Sequence, residues 1–243
     1  AMGGVLYIEP ERYSSDFSVD YMGIYDSNYS GITNNLGLKG SSGDFSYVLR
    51  GNMTDNQNFS TPDGEVENTW LKEYDFQGGL KYQSEKYSSD LRLSVNISEL
   101  GIPEGEEGHD DHDDHEGHDD HEGHEGHYQE LSHTMLTWKN NFDLGNNHDL
   151  EITLGRQFNE RKEFGGHGEE EGHDGHDDHD DHEGHDDHGH GGSGAELDME
   201  LATNTIDVSL TMPQSDNFNM ILGTNILSQE NKNFGFEELI PDA

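Results

Sequence analysis

Two runs of histidine are the residues whose type and spacing point to chemistry. The first places His109, His112, His115, His118, His121, His124 and His127 at every third position. The second holds His167, His173, His176, His179, His182, His185, His188 and His190. Together they take fifteen of the seventeen histidines, and Asp, Glu and Gly fill the gaps. Residues 103–127 and 161–190 each carry 12 acidic residues, out of 53 in the chain. Neutral imidazole and carboxylate suit borderline divalent cations such as zinc, and also nickel, cobalt and copper(II). Cys is absent and Met is scattered, which disfavours soft copper(I). Glycine keeps such runs pliable, so histidines from different repeats can meet on one ion. The carboxylates add ligands or outer hydrogen-bond acceptors. The expected result is many exchangeable sites of modest affinity, a chemistry of capture and hand-on. Because protons compete for imidazole, whose ordinary pKa is about 6.5, binding is expected to weaken below about pH 6.

Catalysis is not expected. A catalytic zinc needs a fixed geometry with one open position, and no His-Glu-x-x-His pattern occurs. No Ser/His/Asp set, phosphate loop or paired-carboxylate site is discernible, so the chain reads as a non-enzyme. His133 and His148 stand apart from the runs and read as strand and turn residues. A formal net charge of -41 has the wrong sign for nucleic acid and suits cations.

The rest of the chain must hold these runs in place. Apolar residues make up 28% and the mean hydropathy is -1.00, values that describe the runs more than what surrounds them. Outside the runs apolar and polar residues alternate in about nine stretches, each expected to be a strand of about 10–14 residues. Residues 14–26 place Phe17, Val19, Tyr21 and Tyr25 on one face. Leu91, Leu93, Val95 and Ile97 oppose Arg92, Ser94, Asn96 and Ser98. Short turns at 41–44, 86–89, 143–148 and 212–216 interleave with long loops at 55–69, 100–128 and 160–196. All the long loops are therefore expected at one end of the sheet. No apolar stretch approaches the length of about 18 residues needed for a membrane helix. Long strands with a dyad period and alternating short turns and long loops are the pattern of outer-membrane barrels. Tyr13, Tyr25, Tyr74, Tyr82, Tyr87, Tyr128, Phe142 and Phe158 fit interfacial girdles. A soluble antiparallel sandwich would alternate in the same way. The predicted fold is all-β: an antiparallel meander forming part of a transmembrane β-barrel.

The opening Ala1-Met2-Gly3-Gly4-Val5-Leu6-Tyr7-Ile8-Glu9-Pro10 resembles the end of the plug domain of TonB-dependent outer-membrane receptors. The following strands and the final Asn233–Ala243 resemble that family's early barrel. The long His/Asp runs are similar to loops of its zinc-uptake members. The resemblance implies residues 1–12 as the end of a plug and 13–243 as part of a barrel of about 22 strands, hence a piece of a longer chain. It further implies a bacterial outer-membrane location, extracellular His-rich loops at 101–128 and 161–196, lipid contact, and energy from a TonB-type inner-membrane complex. The expected activity is capture of zinc or a similar divalent ion for import. A metal-buffering β-protein without transport, and a receptor for a siderophore or other metal chelate, are the alternatives.

Overall fold

The alternation of apolar and polar side chains is built into nine long strands. In chain order the elements are β1 (Ser18–Asp26), β2 (Gly31–Ser42), β3 (Phe45–Asn56), β4 (Ser60–Thr61), β5 (Gly64–Glu65), β6 (Leu71–Gln83), β7 (Tyr87–Gly101), β8 (Tyr128–Gly145), β9 (His148–Phe164), β10 (Leu197–Ser215) and β11 (Phe218–Asn233). The computed structural model describes residues 9–62, 64–103, 126–165, 195–215 and 218–235. β4 and β5 form a small separate hairpin. The other nine form one antiparallel meander in the order β1-β2-β3-β6-β7-β8-β9-β10-β11. β1 and β11 are its edges and run in the same direction, so pairing them directly would be parallel.

Strand lengths depart from the expected 10–14 residues. They grow from 9 in β1 to 19 in β10. The reason is that β9 continues through Glu160–Glu163, polar on both faces, where alternation gives no signal, while β8 and β10 run on into residues expected as turns, to Gly145 and Ser215. Other boundaries shift slightly. The first strand starts at Ser18 rather than residue 14, and β3 runs on to Asn56. The turn expected at 86–89 lies at Ser84–Lys86, because Tyr87 already pairs with Phe142. The 143–148 turn tightens onto Asn146 and Asn147, both with left-handed φ (54° and 59°). That is a two-residue hairpin geometry that asparagine, glycine aside, tolerates more readily than most residues.

The two faces of the sheet differ in kind. Register puts Tyr21, Leu36, Leu49, Phe76, Leu91, Trp138, Leu154, Ile206 and Ile226 on one face. Arg50, Asn52, Asp75, Arg92, Asn96 and His133 lie on the other. The apolar face is uncovered: Tyr21 is 67% exposed, Tyr74 53% and Ile226 57%. Among the described residues, the buried apolar side chains are Val48, Ala195 and Leu197. A sheet nine strands wide spans about 40 Å, so this apolar surface far exceeds the few hundred Å² that soluble monomers expose.

The apolar band is also tilted. The register row through Ile226 reads Ile206, Leu154, Trp138, Leu91, Leu80, Tyr47 and Gly40. On β11 the band tops out at Ile226, with Ser228, Glu230 and Lys232 above it. On β2 it climbs to Ile32, eight residues beyond Gly40. Eight residues are about 26 Å along a strand, and the seven spacings from β2 to β11 are about 34 Å across. The band therefore crosses the strands at a slope of roughly 38°, inside the 35–45° tilt of membrane-spanning barrel strands. On β7 it runs from Tyr87 to Ile97, about 33 Å of strand. That tilt reduces it to a height of about 25 Å, which matches the apolar band of such barrels.

Residues 9–16 lie across the polar face. Glu11 receives Lys39 Nζ at 2.9 Å and Arg50 Nε at 2.8 Å. Tyr13 donates to Asp90 Oδ1 at 2.7 Å, and the Arg92 guanidinium sits 4.5 Å from its ring centroid. Tyr13 is thus not part of an interfacial girdle. The seven other aromatics expected there do share the apolar face.

Candidate metal-capture rim

The roots of both histidine runs stand on one edge of the sheet. Asn56, Leu71, Leu100, Gln129, Glu163 and Leu197 form a single register row across six strands. The turn after β1, the 57–70 segment and both runs leave from this end. The two-residue turns lie at the other. A run rooted at each end would have ruled out joint capture, and the register excludes that arrangement.

On β9, β10 and β11 this face continues past the band. Above Leu154, Ile206 and Ile226 come Arg156, Asn204 and Ser228, then Phe158, Ala202 and Glu230, then Glu160, Glu200 and Lys232. Lys162 bonds Glu160 at 2.7 Å. Charged side chains make most of this extension a polar collar between the band and the run roots.

The first run is closed at its root by Asn68. Its Nδ2 donates to Ile102 O at 2.6 Å and also to His127 O. Its Oδ1 accepts from Trp70 Nε1 at 3.2 Å. Ile102 N donates to His127 O at 2.8 Å, so the chain enters and leaves the run side by side. Asn68 holds a left-handed φ of 58°, which Asn adopts more readily than most residues. Gly101 and Gly126 make room for it, since a Cβ on either would come within 2.6 or 2.7 Å of Asn68. Rings then tie the roots together. Trp70 lies 6.3 Å from Tyr128, and Tyr128 stacks on Phe164 at 4.5 Å with the planes 10° apart. The second run leaves after Phe164, and Glu196 N donates to Glu163 O at 2.8 Å where the chain returns. Ala195 and Leu197 beside it are 1% exposed.

Of the predicted metal ligands, His127 is described, at the base of the first run. His109, His112, His115, His118, His121, His124, His167, His173, His176, His179, His182, His185, His188 and His190 lie outside the described residues. Among the described residues no group of three or more His, Asp or Glu could hold a metal ion. His148 sits in the β8–β9 hairpin at the far end, with Nδ1 3.2 Å from Gly145 O. His133 lies on the polar face, with Nδ1 2.5 Å from Asn159 Oδ1. Asn68, Trp70 and the two glycines carried no sequence signal as a unit, because hydrogen bonds spanning 34 and 59 positions bring them together.

The charge of the N-terminal segment is fixed by its partners. The hydrogen bond from Arg50, reinforced by Lys39, holds the Glu11 carboxyl well below its ordinary value, at about 2. Burial and the Asp90 carboxylate push the Tyr13 hydroxyl upward, so it stays protonated.

No protein-family model and no curated protein matches this chain. The functional reading therefore rests on the rim and the sheet.

Proposed function

We propose that this chain is part of an outer-membrane receptor that captures divalent metal, zinc foremost, on two histidine-rich extracellular segments and delivers it for active import. One observation carries the reading. The uncovered apolar band slopes across the sheet at the tilt of barrel strands, and both histidine runs are rooted on the polar collar above that band. A sheet standing in lipid turns the band outward and keeps the polar face towards water. Residues 9–16, pinned to that face by Glu11 and Tyr13, support the reading of a plug end inside a barrel wall. Further strands between β11 and β1, odd in number, would complete an all-antiparallel ring. Zinc would reach the polar face from the collar, and a TonB-type complex would supply the energy.

Two measurements test this. Cells producing the chain are fractionated, and the chain is expected in detergent-extracted outer membranes; recovery as a soluble monomer rejects the receptor. Zinc titration of the detergent-solubilised chain is expected to give several sites at pH 7.5 that weaken strongly at pH 5.5. Equal affinity at both pH values rejects imidazole capture.

A further inference from the structure

Below the rim, the polar face carries a ladder of side chains in one register row: Asn35, Asn52, Asp75, Asn96, His133 and Asn159. The row lies between the roots of the runs and the segment held by Arg50. Its hydrogen bonds have a direction. Asn159 Oδ1 accepts from Gln157 Nε2 at 3.4 Å, which marks it as an acceptor, and it faces His133 Nδ1 at 2.5 Å. In that arrangement the neutral ring places its proton on Nδ1, which leaves the lone pair on Nε2. Asn96 is the cross-strand partner of His133. Its Nδ2 donates to Asp75 Oδ1 at 2.7 Å, and Asn52 donates to Asp75 Oδ2 at 3.2 Å. Asn96 thus presents its own Oδ1 lone pairs. Directly opposed side chains have Cβ atoms about 5 Å apart, a spacing that one ion can bridge.

An imidazole whose Nδ1–H is held by an oxygen, beside an amide whose N–H₂ is held by a carboxylate, is the outer-shell pattern of metal ligands. We propose that His133 Nε2 and Asn96 Oδ1 form a weak divalent-cation site on the polar face, the first station an ion meets after leaving the histidine runs. Water completes the coordination. Asp75 and Asn159 act as positioning residues that orient the ligands. With one imidazole and one neutral amide the site holds zinc loosely enough to release it, as onward transfer requires. The role in transfer rests on the receptor reading; the site itself does not.

The test uses the full chain in detergent and zinc as the probe. Acylation of His133 is mapped by mass spectrometry at pH 7.5. Zinc is expected to protect His133, calcium to leave it reactive, and Asn159→Ala to raise the zinc needed for protection by about 10–100-fold. In a chain whose fifteen run histidines are glutamine, one zinc equivalent that depends on His133 should remain, vanish with His133→Gln and return with His133→Cys, which keeps a zinc ligand at that position. The return is an outcome that misfolding cannot produce. Identical His133 acylation with and without zinc overturns the site, as does residual binding indifferent to His133→Gln. Loop capture is read separately, from the stoichiometry of the unsubstituted chain.

Discussion

Tyr128 and Phe164 stack face to face, their centroids 4.5 Å apart and their planes 10° apart. Each ring is the strand residue next to one histidine run, so the stack joins the two roots through side chains as well as through the sheet. A stacked aromatic pair contributes about 0.5–1.5 kcal/mol beyond its burial. A double-mutant cycle with Tyr128→Leu and Phe164→Leu, followed by urea unfolding in detergent, is expected to give a coupling energy in that range. A coupling near zero would mean that the rings merely sit side by side.

The Asn68 closure is local and should fail locally. Asn68→Ala strips hydrogen bonds from the carbonyls of Ile102 and His127, a loss of about 1–3 kcal/mol for partly buried groups. Amide exchange at Gly101, Ile102 and His127 should speed up while β10 and β11 stay unchanged. Gly126→Ala should produce the same local signature, because its Cβ would fall 2.7 Å from Asn68 Nδ2. Slowed or uniform exchange in either variant would remove Asn68 as the closing residue.

Acid should spare the N-terminal segment longer than an ordinary carboxylate would allow. Glu11 has a folded pKa depressed to about 2 by Arg50 and Lys39. A depressed carboxylate gives stability that is fully present above its unfolded value of about 4.3 and is lost as pH falls through the folded value. The segment should therefore stay seated at pH 5 and loosen only as pH drops from about 4 towards 2. Intrinsic-rate-corrected amide exchange of Tyr13–Asp16, followed from pH 6 to pH 3, reads this directly. Glu11→Gln should loosen the segment at every pH. If the unsubstituted chain loosens between pH 6 and 5, another group governs the docking.

Much of the scaffold was legible before any coordinates. Alternation such as Leu91-Arg-Leu93-Ser-Val95-Asn-Ile97 assigns faces without ambiguity, and the order of short and long connections already put both runs on one edge. Where polarity is two-sided, as in Glu160–Glu163, alternation gives no signal, and β9 runs on to Phe164 through residues expected in a loop. The slope of the apolar band was hidden for another reason. It is a property of register, and no single strand carries register in its own sequence. His133 read as a plain strand residue because its partners Asn96 and Asn159 are 37 and 26 positions away.

The slope yields the sharpest check on the membrane reading. Leu93 and Leu136 are direct cross-strand partners on the apolar face. If the sheet stood upright, or formed half of a sandwich, a charge at either position would cost about the same. In a sheet tilted by roughly 38° the two differ in depth. On β7 the band extends from Tyr87 to Ile97, so Leu93 is interior to it. On β8 Leu136 is its upper limit, with Thr134, Ser132 and Glu130 above. A lysine at the bilayer midplane of a barrel costs about 2–4 kcal/mol and near the interface about 0–1 kcal/mol. That slope sets neighbours on adjacent strands about 3 Å apart in depth, so Leu93→Lys should destabilise the chain in lipid vesicles by roughly 0.5–1 kcal/mol more than Leu136→Lys, read from urea unfolding of each. In detergent-free buffer no such gradient is expected. Equal penalties in lipid would leave the band's slope without a membrane to explain it, and the receptor reading would lose its main support.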